Sequence, residues 1–154
     1  MMLQYMQQAI EMAQKSVMVG GGPFGAVIVQ NDQVIAAEHN QVTLTCDPTA
    51  HAEVVAIRAA CRQLGRFNLA DCQLYTSCFP CPMCIGAIYW AHVGQVFYAS
   101  TALDAAAAGF DDQFIYEELA LPLVQRQIPL IQLAPSAAGS EFALWRVKLD
   151  RIDY

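Results

Sequence analysis

A layered α/β domain with a mixed five-stranded sheet is the fold class this sequence predicts. Three observations carry it. The chain of 154 residues is 56% hydrophobic and only 14% charged, which is enough apolar material for one buried core. Two β-rich runs separated by Asn31-Asp32 read as a hairpin. Further on, short β-forming runs alternate with helical ones, the pattern of a sheet covered by helices.

The elements follow in order. Leu3, Met6, Ile10, Ala13 and Val17 recur at helical spacing and predict a first amphipathic helix, ended by Gly20-Gly21-Gly22-Pro23. Residues 24–30 (FGAVIVQ) and 33–39 form the hairpin. Residues 40–50 form a loop ending in Asp47-Pro48-Thr49, a helix-opening combination, so a second helix is expected over 50–64, stopped by Gly65. Residues 72–76 (CQLYT) read as strand three, 81–91 as a third helix and 94–99 (GQVFYA) as strand four. Residues 102–126 are helical or irregular. Residues 128–133 are expected as strand five and 139–152 as a terminal helix, with Ser140 as its cap and Phe142, Trp145 and Leu149 on one face. The long gap between strands four and five leaves room for a crossover, so those two are expected to run parallel.

Composition excludes several functions. Eight Lys+Arg against fourteen Asp+Glu give a net charge of −6, the wrong sign for gripping nucleic acid through phosphates. Residues 72–103 contain no Asp, Glu, Lys or Arg, but Pro80, Pro82, Gly86, His92 and Gly94 interrupt that stretch, so it predicts buried strand-helix-strand rather than a membrane span. The N-terminus MMLQYMQQ has no signal-peptide pattern, and the six cysteines lack the spacing of a secreted scaffold. A cytoplasmic protein with reduced thiols is expected.

The chemistry resides in two segments, Thr49-Ala50-His51-Ala52-Glu53 and Pro80-Cys81-Pro82-Met83-Cys84. Together they form H-x-E followed by P-C-x-x-C, the signature of zinc-dependent nucleobase deaminases. Cys81 and Cys84 share one face of a helical first turn, where the helix dipole favours thiolates. His51 adds a neutral nitrogen ligand. Three protein ligands for Zn²⁺ leave a fourth tetrahedral position for a water, whose pKa the metal lowers, with Glu53 beside it as proton shuttle. Residues i and i+2 lie about 200° apart on a helix, so His51 and Glu53 can share a site only if it lies off the helix end. Other readings of the same residues are a closed structural site that adds Cys78, giving a zinc-stabilised module without catalysis; a redox C-x-x-C pair; and buried core cysteines. Cys46, Cys61 and Cys72 read as core or loop residues.

At these residues the sequence resembles the cytidine deaminase-like family over nearly its whole length. Phe24-Gly25-Ala26, Asn40, T-A-H-A-E and P-C-P-M-C-x-G-A-I fall in family order. Within the family it is similar to the bacterial guanine deaminases, through residues 47–53 (DPTAHAE), residues 85–90 (IGAIYW), residues 108–112 (AGFDD), Phe114-Ile115-Tyr116 and Tyr154. The resemblance implies a three-layer α/β/α fold and hydrolysis of guanine to xanthine and ammonia. It implies that His51, Cys81 and Cys84 hold Zn²⁺, that Glu53 moves protons and that Asp112 assists the leaving amine. Asn40 would hydrogen-bond the purine, Phe24 and Trp90 would wall the ring, Ala52 would line the pocket and Tyr154 would close it. It also implies a homodimer with exchanged C-terminal segments, about 138–154, so that Tyr154 could serve a neighbouring subunit. The alternatives within the fold are a tRNA adenosine deaminase, which the acidic charge disfavours, and a deaminase of cytosine or another nucleobase. Phe79 departs from the pattern: relatives carry Glu before P-C-x-x-C, and Phe removes a carboxylate from the surroundings of the thiolates.

Overall fold

The computed structural model describes residues 1–154, which form two compact units, Met1–Gln113 and Phe114–Tyr154. The first unit holds a four-stranded sheet of order β2-β1-β3-β4, with β1 Gly25–Gln30, β2 Gln33–His39, β3 Cys72–Cys78 and β4 Gln95–Ser100. β1 pairs antiparallel with β2 and β3, and β3 pairs parallel with β4, so the sheet is mixed. The hairpin turn is made by Asn31 and Asp32, both at positive φ (48° and 61°), as a tight two-residue connection demands.

Both faces of the sheet are covered. β1 has no polar residue between Gly25 and Gln30, and alternate side chains enter two separate cores. Ala26 and Ile28 pack with Leu74 against α3 (Ala52–Leu64) and against Ile88 of α4 (Pro82–Trp90). Val27 and Val29 pack with Tyr75 against Tyr5 and Ala9 of α1 (Met2–Met18). The result is the three-layer α/β/α arrangement. Residues 72–103 resolve into β3, α4 and β4, and no helix is long and apolar enough to cross a membrane.

The first helix forms where expected with its buried face rotated: of the predicted stripe Ala13 is buried and Met6 packs against the core. Tyr5, Ala9, Ala13 and Ser16 are buried, whereas Leu3 and Val17 are exposed. Close approach decided this: small Ala side chains let α1 lie directly on the sheet, which a Leu or Val stripe would hold away. Gly25 sits at the point of contact. A Cβ there would meet the Ala9 carbonyl oxygen at 2.2 Å and the Ala13 nitrogen at 2.5 Å. Both are helix backbone and neither can yield alone. Gly25→Ala is therefore expected to destabilise the protein by about 1–3 kcal/mol or more. A thermal melt falling by several degrees checks it; an unchanged melt would show that α1 can shift freely.

Strand five is not formed. Residues 128–133 (IPLIQL) join no ladder, so the sheet has four strands, and the parallel pair is β3–β4 rather than strands four and five. Pro129 lacks an N–H, and β-propensity makes a strand only where a partner edge accepts it. The terminal helix, α7 (Ser140–Val147), is also shorter than predicted. Gly139, not Ser140, is its N-cap, and Leu149 lies beyond its end. In this second unit Arg126 ties the chain by donating to the carbonyls of Leu121 and Leu119 at 3.1 and 3.0 Å. Between β4 and α7 lie α5 (Ala102–Ala107), α6 (Gln113–Ala120) and a 3-10 turn at Leu123–Gln125. Thr101 and Asp104 form a reciprocal capping box at the start of α5.

Candidate metal centre

Two helix N-termini converge at the carboxyl end of β3. His51 is the N-cap of α3 and Cys81 the N-cap of α4, each with extended backbone (ψ 153° and 168°) before the helix begins. Pro82 at the first position of α4 presets its entry. The α3 helix opens two residues later than the Asp47-Pro48 motif suggests. The Asp47 carboxylate instead accepts from the Thr49 N–H and hydroxyl at 2.8 and 2.7 Å, making a separate turn and lowering the Asp47 pKa. A four-residue helix, α2 (Val42–Thr45), occupies the preceding loop. The later start resolves the angular conflict between His51 and Glu53: one lies outside the helix and the other in its first turn.

The donor atoms of His51, Cys81 and Cys84 all lie within 4.8 Å of one another. Cys81 Sγ is 3.5 Å and Cys84 Sγ 3.6 Å from His51 Nδ1. Tetrahedral zinc with bonds of about 2.3 Å to sulfur and 2.0 Å to nitrogen separates S and N by roughly 3.5 Å. The spacing therefore fits Zn²⁺, and so does the soft, mixed donor set. The electrostatics agree. Hydrogen bonds from Cys84 and from His51 draw the Cys81 thiol down to about 4. Cys84 is pushed up, by its bond to Cys81 and by burial, and His51 is raised chiefly by its bond to Cys81. Cys78 stays outside this group, buried at the end of β3 with its thiol directed at the Thr101 carbonyl at 3.4 Å.

Glu53 is buried, at 4% exposure, beside the cluster. Its Oε1 accepts from Thr76 Oγ1 at 2.8 Å, and its Oε2 lies 3.4 Å from Cys84 Sγ. Burial pushes its pKa above the ordinary glutamate range. Asp112 precedes α6, and its pKa is raised by burial and then by the Cys81 charge.

Asn40 is buried and fully engaged on one side. Its Oδ1 accepts from the N–H groups of Gly22 and Val42 at 3.3 and 3.2 Å, and its backbone oxygen accepts from the Ser16 hydroxyl at 3.0 Å. With Oδ1 taken by two backbone donors, Nδ2 is the group the carboxamide can offer a ligand. Ala52 is buried at the head of α3. Phe24 packs edge-on against Phe110 with centroids 5.0 Å apart. Trp90, the last residue of α4, is 66% exposed, and Tyr154 lies in the second unit. Phe79, where a Glu was expected, packs edge-on against Tyr98 at 5.2 Å. Thr76 was not visible as a site residue in the sequence. Its signal is a polar side chain within a strand that is buried on both faces.

A mixed sheet whose helix tips bring one His and two Cys together beside a buried Glu is the architecture of the zinc-dependent deaminases. Residues 2–100 match the cytidine and deoxycytidylate deaminase zinc-binding region, and the chain belongs to that family. It is 52% identical over 151 residues to guanine deaminase of Bacillus subtilis (strain 168), covering 97% of each chain. The X-ray structure of guanine deaminase from Bacillus subtilis superposes with a TM-score of 0.95 at 51% identity, covering 98% of this chain and 97% of that one. A tRNA-specific adenosine deaminase of Aquifex aeolicus is 37% identical over 105 residues, 68% of each chain.

Proposed function

We propose that this protein is a guanine deaminase, converting guanine and water to xanthine and ammonia. The observation that carries the reading is the three-ligand cluster of His51, Cys81 and Cys84 with the Glu53 carboxylate against it. Likeness to guanine deaminase over almost the full length selects the substrate.

His51, Cys81 and Cys84 would hold Zn²⁺, which when bound acidifies a water so that a nucleophile is available near neutral pH. Glu53 takes the proton of the attacking water and delivers it to the ring nitrogen next to C2. Its raised pKa suits a group that must both accept and release a proton. Asp112 then protonates the exocyclic amine, which leaves as ammonia, and the proton of the new C2 hydroxyl passes back to the Asp112 carboxylate as the C2 carbonyl forms. Asn40 holds the base through Nδ2, Phe24 and Trp90 flank the ring, Ala52 lines the pocket and Tyr154 closes it. The discriminating experiment is ammonia release from zinc-loaded protein with guanine, adenine, cytosine, cytidine and a tRNA anticodon stem. Guanine is expected as the best substrate by a wide margin. Preference for the anticodon stem would overturn the reading in favour of tRNA adenosine deamination, and activity on none would leave a zinc-stabilised module.

The same reading makes the active form a homodimer that exchanges C-terminal segments. β4 is an edge strand with one neighbour, and residues 128–133 carry Ile128, Leu130, Ile131 and Leu133 exposed. An unpaired edge and an unpaired apolar segment in one chain suit pairing between two copies. Tyr154 then serves the neighbouring site. Cytoplasmic placement follows from the thiolates, which a reducing compartment preserves.

A further inference from the structure

The centre of β3 carries a polar side chain that zinc binding does not require. Thr76 is completely buried in a strand otherwise lined by Leu74 and Tyr75. Valine has the same shape and would fill the site without a polar group. Burying a hydroxyl is unfavourable unless it is hydrogen-bonded. This one has two acceptors, Glu53 Oε1 at 2.8 Å and the carbonyl of Cys78 at 3.1 Å. The hydroxyl has a single proton to donate, and Glu53 Oε1 is the nearer of its two acceptors.

The two oxygens of Glu53 therefore have different surroundings. Oε1 is held by Thr76, and Oε2 lies 3.4 Å from Cys84 Sγ. A Cys84 thiolate has no proton to give, so as a metal ligand it offers Oε2 no hydrogen bond. Oε2 then faces the cluster, while the hydroxyl of Thr76 still fixes the carboxylate. A glutamate has three side-chain torsions, and without this tether the carboxylate could turn within its pocket.

We propose that Thr76 is a positioning residue for the deamination, tethering Oε1 of Glu53 so that Oε2 is the oxygen that exchanges protons with water and base. The inference rests on the reading of Glu53 as proton carrier. Thr76 is not one of the three clustered donors, so its removal is expected to act on turnover rather than on zinc or substrate binding.

The experiment compares Thr76→Val, Thr76→Ser and Glu53→Gln as purified zinc-loaded proteins, measuring kcat, KM for guanine and zinc per chain. Thr76→Val is expected to lose about 10- to 100-fold in kcat, the worth of a hydrogen bond to a buried charged group. KM and zinc content should stay near the wild-type values. Thr76→Ser keeps the hydroxyl and is expected to recover most of the kcat. Three outcomes overturn the tether. The first is wild-type kcat in Thr76→Val beside an inactive Glu53→Gln, which marks Thr76 as an ordinary core residue. The second is loss of zinc or a parallel loss in Thr76→Ser, which marks its role as structural. The third is an active Glu53→Gln, which overturns the proton-carrier reading and the tether with it, and is told apart by that variant alone.

Discussion

Glu53→Gln is expected to abolish turnover while leaving the metal centre intact. Glutamine keeps the length and the acceptor oxygen, so the bond from Thr76 Oγ1, 2.8 Å in the wild type, has a replacement partner. What it cannot do is carry a proton between water and base. Loss of a positioned general acid-base group typically lowers the rate by about 10²–10⁴-fold. Zinc per chain should remain at the wild-type value, because the donor set is His51, Cys81 and Cys84 without Glu53. The melting temperature should hold or rise. The wild type buries an ionisable carboxylate, and burial works against its charged form. Steady-state kinetics, metal analysis and a thermal melt on one preparation test all three expectations. Wild-type kcat in this variant would remove Glu53 from the mechanism.

Stripping zinc is expected to abolish activity and to destabilise the fold together. The ligands come from the N-caps of two helices and the first turn of one of them, so the ion ties α3 to α4. An ion held about a thousandfold above its dissociation constant contributes about 4 kcal/mol. For a domain of this size that shifts the melting temperature by roughly 10 °C. Activity and melting temperature should return together on adding one equivalent of Zn²⁺, and His51→Ala should not be rescued by it. The pH sense follows from the ligand chemistry. Zinc must displace the proton of Cys84 and find Cys81 ionised and His51 neutral, so its affinity falls as pH falls. The metal-free cluster strengthens this, since His51 holds its proton more firmly than an ordinary histidine. Chelation should therefore proceed more readily at acid pH than at neutral pH. Equal activity with and without the metal would exclude the proposed chemistry.

Much of the architecture was legible because its signals are local. The turn at Asn31-Asp32, the αL stop at Gly65 (φ 65°) and Pro82 in the first turn of α4 depend on a few adjacent residues. The convergence of His51 with Cys81 and Cys84 was legible for another reason. Ligand spacing on short segments encodes a coordination geometry, and that geometry dictates the tertiary contact. Features that depend on a distant partner were not legible. The start of α3 was displaced because the Asp47 carboxylate engages Thr49, competing with the helix it was expected to cap. Residues 128–133 have strand composition, yet no edge within the chain receives them.

The sequence alone determined the layered α/β class, the four strands that form, the ligand types and their placement at helix starts. These are properties of patterning and of side-chain chemistry over a few residues. Tertiary structure alone decided that Tyr5 and Ala9 rather than Leu3 and Val17 face the sheet, since Gly25 admits the helix backbone so closely. It also decided that two backbone N–H groups occupy Oδ1 of Asn40, and that Thr76, remote in sequence, holds Glu53. Burial and hydrogen-bond pairing are relations between segments, and no single segment carries them.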